Sequence, residues 1–252
     1  MSEYFKKHSV ESLPVGEYEI EIIENPQRSL TEDQIVEVAI EANSVLAVTT
    51  GIEDRSIDEV KRYLFGTVDR GRVLNLFRKD EKLVGFSSWH LLNTEGEFIR
   101  FDDSTVLHAG SVHILPEEQG GKLWLTAAKI YLGKLPKSLQ PKYVEGFTQS
   151  PRLFKLLHSV CRGRVYPNVK GDADVEALKK VQEEILPKIL LGMGSLNIEN
   201  QSVVKGLGEH VYARVPSTGD FYEDVFFNRL QVNVADGDFL HFVAEIPKEI
   251  YE

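Results

Sequence analysis

Apolar positions along the chain recur with two periods, and the changes between them mark out the elements. Tyr18, Ile20 and Ile22 alternate with Glu17, Glu19 and Glu21, which predicts a strand over residues 18–23 with one buried face, ended by Asn25-Pro26. Thr31, followed by Gln34, is a capping box that opens a helix whose apolar stripe is Ile35, Val38, Ala39, Ala42, Val45 and Leu46. Ser56 and Glu59 repeat the signature ahead of Ile57, Val60 and Leu64. Val73–Phe77 and Leu83–Leu92 flank the polar run Lys79-Asp80-Glu81-Lys82, an antiparallel hairpin. A third strand follows over Thr105–Leu115 and stops at Pro116. Glu117-Glu118-Gln119-Gly120-Gly121 then leads into a helix over residues 122–135 that buries Leu123, Ala127, Ile130 and Tyr131. A short strand, Tyr143–Phe147, precedes Ser150-Pro151, an N-cap with proline at the first helical position, and the apolar face Leu153, Phe154, Leu157 and Val160.

Beyond residue 170 the pattern changes. Asp172 or Asp174 caps a helix carrying Val175, Leu178, Val181, Ile185 and Leu186, and Gly192 to Gly194 is a break. β-like runs follow at Val203-Val204, Val211–Val215, Val225–Phe227, Leu230–Val234 and Phe239–Ala244. The order implies an α/β fold, a mixed and largely antiparallel sheet flanked by helices, with a β-rich C-terminal extension. The expected division is a domain over residues 1–170 and an extension, helix plus strands, over 171–252.

With 252 residues the chain can bury a substantial core, and its single cysteine, Cys161, excludes an intramolecular disulfide framework and a Cys-rich zinc module. No apolar run approaches the roughly 20 residues that span a bilayer, and the first residues lack the apolar stretch of a signal peptide, so a cytoplasmic protein without membrane contact is expected. The net charge of −10 argues against nucleic acid as a partner. Its distribution is uneven: +5 over residues 101–170, between −7 before and −8 after. A positive island in an acidic chain suits a small anionic ligand, although clustered solvated Lys and Arg side chains would give the same count.

Chemistry concentrates between Val106 and Trp124, where a strand, a proline and a glycine-bearing turn run into a helix N-terminus. Such a turn presents free backbone N–H groups, and the helix dipole adds about half a positive charge, which together cradle a pyrophosphate. Neither GxxxxGK[ST] nor GxGxxG is present. No HExxH or His-x-His spacing suggests a zinc site, and GxSxG is absent. Arg162 and Arg164 could lower the pKa of Cys161, although a buried or idle thiol is the plainer reading.

The run Val112-His113-Ile114-Leu115-Pro116-Glu117-Glu118-Gln119-Gly120-Gly121-Lys122-Leu123-Trp124 resembles the acyl-CoA-binding segment of the GNAT superfamily of N-acetyltransferases, an apolar strand end followed by [RQ]-x-x-G-x-[GA] and a long helix. Thr148-Gln149-Ser150-Pro151-Arg152 is similar to the segment, often Asn-Pro-Arg, where these proteins begin the next helix. The likeness spans roughly 150 residues, more in element order than in letters. Lys122 stands where the family commonly has glycine, Trp124 where it has glycine or alanine, and Ser150 where asparagine is common.

The resemblance implies transfer of an acetyl or other acyl group from acyl-CoA, with no metal, to a small-molecule amine or basic peptide. Main-chain groups around Val112, His113 and Ile114 would pair with the pantetheine arm. Gln119, Gly120, Gly121, Lys122, Leu123, Trp124 and Ser150 would serve the cofactor. The family often carries a Glu six residues before the apolar strand end, and that position here is His108, the candidate base; a hydrogen-bonded structural histidine is the alternative. His113 lies on the other strand face by parity and reads as structural in its side chain. His158 and Tyr166 are candidate proton donors to the departing thiolate. Two other functions are open: a non-catalytic CoA-binding pseudoenzyme on the same fold, and an interaction protein whose aromatic tail (Phe221, Tyr222, Phe226, Phe227, Phe239, Phe242) pairs a homodimer.

Overall fold

A computed structural model describes residues 9–66, 71–93, 97–119, 122–170, 175–190, 198–199, 202–207, 212–213 and 215–251. The elements run β1 (Ser9–Val15), β2 (Tyr18–Glu24), α1 (Pro26–Ser29), α2 (Glu32–Thr50), α3 (Ile57–Phe65), β3 (Arg72–Lys79), β4 (Lys82–His90), β5 (Arg100–Phe101) and β6 (Ser104–Ile114). They continue with α4 (Leu123–Lys134), β7 (Tyr143–Thr148), α5 (Pro151–Val160), β8 (Val165–Tyr166), α6 (Glu176–Leu190), β9 (Ile198–Glu199), β10 (Val203–Val204), α7 (Phe221–Asp224) and β11 (Phe239–Glu245). β1 through β4 pair antiparallel, as do β7 and β11, and helices flank the strands, the mixed α/β class expected. Two compact units result: Met1–Phe98 with Ala109–Gln140 and Ile250–Glu252, and Ile99–His108 with Pro141–Glu249. Residues on both sides of position 170 share the second unit. Among the described residues no helix is long and apolar enough to cross a membrane.

In the first unit β1 to β4 form an antiparallel meander with Ile23 opposite Leu74 and Leu76 opposite Phe86. α2 and α3 cover one face, packing Ala39, Ala42, Leu46, Val60 and Leu64 onto Ile23, Leu74, Leu76 and Phe86. Each large apolar side chain so buried contributes about 1.5–3 kcal/mol. Both capping boxes form: Thr31 Oγ1 accepts the Gln34 N–H at 3.3 Å while Gln34 Oε1 accepts the Thr31 N–H at 2.8 Å, and Ser56 and Glu59 exchange the same pair. Arg78 ties α2 to the sheet through a two-pronged bond to Glu41, 2.7 and 2.8 Å, and an ion pair with Glu21. Trp89, on the opposite face by alternation, meets Tyr131 of α4 with ring centroids 5.6 Å apart.

β1 escapes the hydrophobic pattern because none of its side chains is buried, so an edge strand held by backbone bonds leaves no periodic trace. The second unit builds on β7, which pairs β11 with Glu145 opposite Val243 and Phe147 opposite His241; β8 and β10 add to β11. α6 lies on one face, burying Leu178, Val181 and Ile185 against Val106, Tyr143, Tyr166 and Val243. Two expected strands are corrected. Val225–Phe227 begins a π-helix over Val225–Arg229, and Leu230–Val234 runs irregularly into a 3₁₀ turn at Val234–Asp236. Val225, Phe226, Leu230, Val232 and Val234 are buried and Phe227 is half-buried, with the Phe226 ring against Phe154 of α5, and a short apolar run does not distinguish strand from helix. Asp172, Asp174, Gly192 to Gly194, and positions 211 and 214 of the Val211–Val215 run lie outside the described residues.

Gly85 lets β4 lie close to the end of β6: a Cβ there would stand 2.7 Å from the His113 carbonyl oxygen and 3.0 Å from Ile114 Cα. Gly85→Ala is therefore expected to destabilise the fold by about 1–3 kcal/mol, seen as a lower urea midpoint with an unchanged slope. An unchanged midpoint would show that the strands are not in close contact there.

Candidate active site

Tyr143-Val144-Glu145-Gly146-Phe147 places a carboxylate in the middle of an apolar strand, and the fold buries it completely. A lone carboxylate in that position would cost several kcal/mol. Glu145 is instead held on both sides. Its Oε1 lies 2.5 Å from His108 Nδ1 on β6, and its Oε2 lies 3.0 Å from His241 Nε2 on β11. Burial by itself drives this carboxyl up, but the charge and hydrogen bond of His108 and the bond from His241 outweigh it and hold it down at about 2. His241 is fully buried beneath α6, where the Gln182 amide reaches its ring and the Ser202 hydroxyl. His108 differs: 20% of its side chain is exposed. Among the described residues no group of His, Cys, Asp and Glu side chains is arranged to hold a metal ion.

Tyr166 shares this face. It pairs Val243, which pairs Glu145, so the three form one row across β8, β11 and β7, with about 10 Å between the backbones of Tyr166 and Glu145. Burial, with Glu183 and Glu176 nearby, raises its pKa and keeps the phenol protonated at neutral pH. His158 goes elsewhere. It is buried on α5 with its ring edge-on to Phe154 at 4.8 Å and 5.4 Å from Tyr222. Its helical stripe thus includes a histidine where the sequence predicts Leu153 and Val160. Cys161 is buried and its thiol is pushed up to about 12 by desolvation and then by Glu245, so the flanking arginines do not activate it.

Glu145, His241 and Gln182 are not singled out by motif. The available signal is an ionisable residue inside an apolar run, at Glu145 and again in Phe239-Leu240-His241-Phe242-Val243.

In the first unit the phosphate-loop residues fall into two groups. Leu123 and Trp124 turn inward, 1% and 8% exposed. Lys122 is the residue before α4, exposed and in the left-handed region at φ 56°, which explains why glycine suits this position. No side chain caps α4, and Trp124 Nε1 has no hydrogen-bond partner among the described residues. The N-terminal amides of a 12-residue helix beside an exposed lysine fit a phosphate group. Gln119 donates from Nε2 to the Ile114 carbonyl at 2.9 Å and so braces the strand end. Val112 and Ile114 are half-buried on β6, and Gly120 and Gly121 lie outside the described residues. In the second unit Ser150 is buried and caps α5, its hydroxyl accepting the Leu153 N–H at 3.4 Å.

No family model and no curated protein matches the chain in sequence. Several solved structures align with it by fold. A protein assigned to the GNAT acetyltransferases from Desulfovibrio desulfuricans aligns over 96% of this chain and all of its own, with a TM-score of 0.38 and 9% identity. Spermidine N-acetyltransferase from Vibrio cholerae, solved with CoA and spermine, covers 57% of this chain and 78% of its own at 0.34 and 15%. A GNAT-like decarboxylase in complex with isobutyryl-CoA covers 84% and 96% at 0.37 and 11%. GNAT-superfamily proteins are thus among the chain's structural neighbours, and the functional reading below rests on its own residues.

His113 shows what the same side chain does when enclosed. Its Nδ1 lies 3.0 Å from Thr49 Oγ1 and its Nε2 2.9 Å from the Tyr63 hydroxyl, so the ring links β6 to α2 and α3. Burial, reinforced by Arg55, pushes it from 6.5 down to about 3. The unfolded chain therefore takes up this proton at higher pH than the folded one. Stability should fall as pH drops from about 6.5 toward 3, by up to ~1.4 kcal/mol per unit. Urea unfolding across that range is expected to give a shallower pH slope in His113→Gln than in the wild type; equal slopes would contradict the assignment.

Proposed function

We propose that the protein transfers an acyl group, acetyl in the first instance, from acyl-CoA to a primary amine. One observation carries this reading: His108, at the strand position where the resemblance expects the base, is partly exposed and backed by the buried Glu145 carboxylate. An acceptor amine reaches the site as an ammonium ion and must lose a proton before it is nucleophilic. Glu145 orients the imidazole and complements the positive charge it gains on taking that proton, the role a carboxylate plays behind a catalytic histidine. Tyr166, protonated at neutral pH, is the proposed proton donor to the departing sulfur. Acyl-CoA supplies the activated thioester. Lys122 and the first amides of α4 would hold its phosphates, and main-chain groups near Val112 and Ile114 its pantetheine arm.

The acceptor is proposed to be a small-molecule amine or a basic peptide, met in the cytoplasm. A second reading, a CoA-binding module without catalysis, is favoured by Lys122 and Trp124, which stand where the resemblance has small residues.

Thermal melting with saturating acetyl-CoA should raise Tm, and Lys122→Gly should reduce that shift by removing the cation while keeping the left-handed backbone. Release of free CoA with a panel of amines then separates enzyme from binder. His108→Ala is expected to lower turnover by about 10²–10⁴-fold while leaving the acetyl-CoA shift in place. No stabilisation by acetyl-CoA would count against both readings, and unchanged turnover in His108→Ala would remove His108 as the base.

A further inference from the structure

Behind His108 the hydrogen bonds run in a single direction. The Gln182 amide lies 3.3 Å from the His241 carbonyl oxygen, 3.0 Å from His241 Nδ1 and 2.6 Å from Ser202 Oγ. A carbonyl oxygen only accepts, so the amide atom facing it is the nitrogen. That nitrogen can only donate, its two hydrogens shared among three neighbours, so His241 Nδ1 faces it with a lone pair and not with an N–H. The proton of the neutral ring is then on Nε2, where it points at Glu145 Oε2, 3.0 Å away. Oε1 faces His108 Nδ1 at 2.5 Å, and an ionised carboxylate accepts there as well. His108 therefore turns Nδ1–H inward, and its basic lone pair belongs to Nε2.

The inner half of this network does not conduct protons. His241 and Ser202 are fully buried, and an amide between them neither takes up nor passes on a proton at ordinary pH. What it can do is hold a charge in place. Without the His241 donor, Glu145 Oε2 would be left unsatisfied in the interior, and the carboxylate would be free to turn or to take up a proton. Either change would release His108 from its tautomer. The remote end of the network is held as well: Ser202 has φ 137°, in the region that favours glycine, and its carbonyl accepts the His241 N–H at 2.9 Å.

We propose that Gln182 and His241 are positioning residues for His108: together they keep Glu145 as an ionised acceptor in one rotamer and so fix His108 in its Nδ1–H tautomer. Both come from residues beyond 170, so α6 and β11 serve the base through Glu145. For its effect on turnover the proposal rests on the acyl-transfer reading; for the tautomers it does not.

Long-range ¹H–¹⁵N NMR of the full chain labelled in histidine reads both rings without any substrate. At a pH where both rings are neutral, the wild type should show His241 as Nε2–H and His108 as Nδ1–H. His241→Phe should leave His108 as a mixture of tautomers, and His241→Gln, whose side-chain amide can still donate to Glu145, should restore it. In amine acylation His241→Phe is expected to lower kcat about a hundredfold with KM for acyl-CoA unchanged, as a misaligned base does. An Nδ1–H tautomer for His241 in the wild type would overturn the proposal before any variant is made. So would an unchanged His108 in folded His241→Phe. The expected tautomers without acylation of any amine would support the positioning network and count against acyl transfer alone.

Discussion

A negative charge in the interior of a β-sheet sets the terms for the second unit. Glu145 can be buried only because an imidazole nitrogen meets each of its oxygens, one from the strand on either side. That requirement ties the chain's middle to its end. β7 must lie beside the first half of β6 for His108 to reach Oε1, and beside β11 in the observed register for His241 to reach Oε2. A slip of one residue along β11 would move His241 to the opposite face and leave the carboxylate exposed to hydrocarbon. Removing one partner of such a buried arrangement costs more than forming it contributes, so the arrangement specifies the register more strongly than it adds stability.

α6 completes the enclosure. Its apolar residues, Leu178, Val181 and Ile185, pack on Tyr143, Tyr166 and Val243, while Gln182 on the same helix meets the buried polar end of the network. Burial and polarity are thus supplied by one element, and the sheet face changes from sealed at His241 to partly open at His108. Three histidines illustrate how surroundings assign a role. His113 links strand to helices in a neutral form, His158 fills space among aromatic rings, and His108 combines a buried carboxylate with a partly exposed ring. The proposed base is the residue with the last combination.

The turn before α4 follows a separate local logic. Lys122 adopts the left-handed backbone for which glycine is better suited, at a cost of about 1–2 kcal/mol, and the fold accepts it. Leu123 and Trp124, the first residues of the helix, are absorbed into the core of the first unit.

Most elements were legible in the sequence, because their causes are local. Capping boxes at Thr31 and Ser56, the alternation of β2 and the stripe of α2 each depend on neighbours a few residues apart, and each appears where the pattern predicts. Where the cause is not local, the pattern fails. β1 has no buried side chain to betray it, and the π-helix at Val225–Arg229 has the same apolar letters as a strand. The site divides in the same way. The position of His108 on its strand, and its separation from the face of His113, follow from parity within one element. The partners that give His108 its chemistry lie far along the chain, Glu145 by 37 residues and His241 by a further 96, and only strand pairing brings them together. Residue type and period determined the elements and the candidate base; the register of β7 and β11 decided that its neighbour is a charge and that the charge is held.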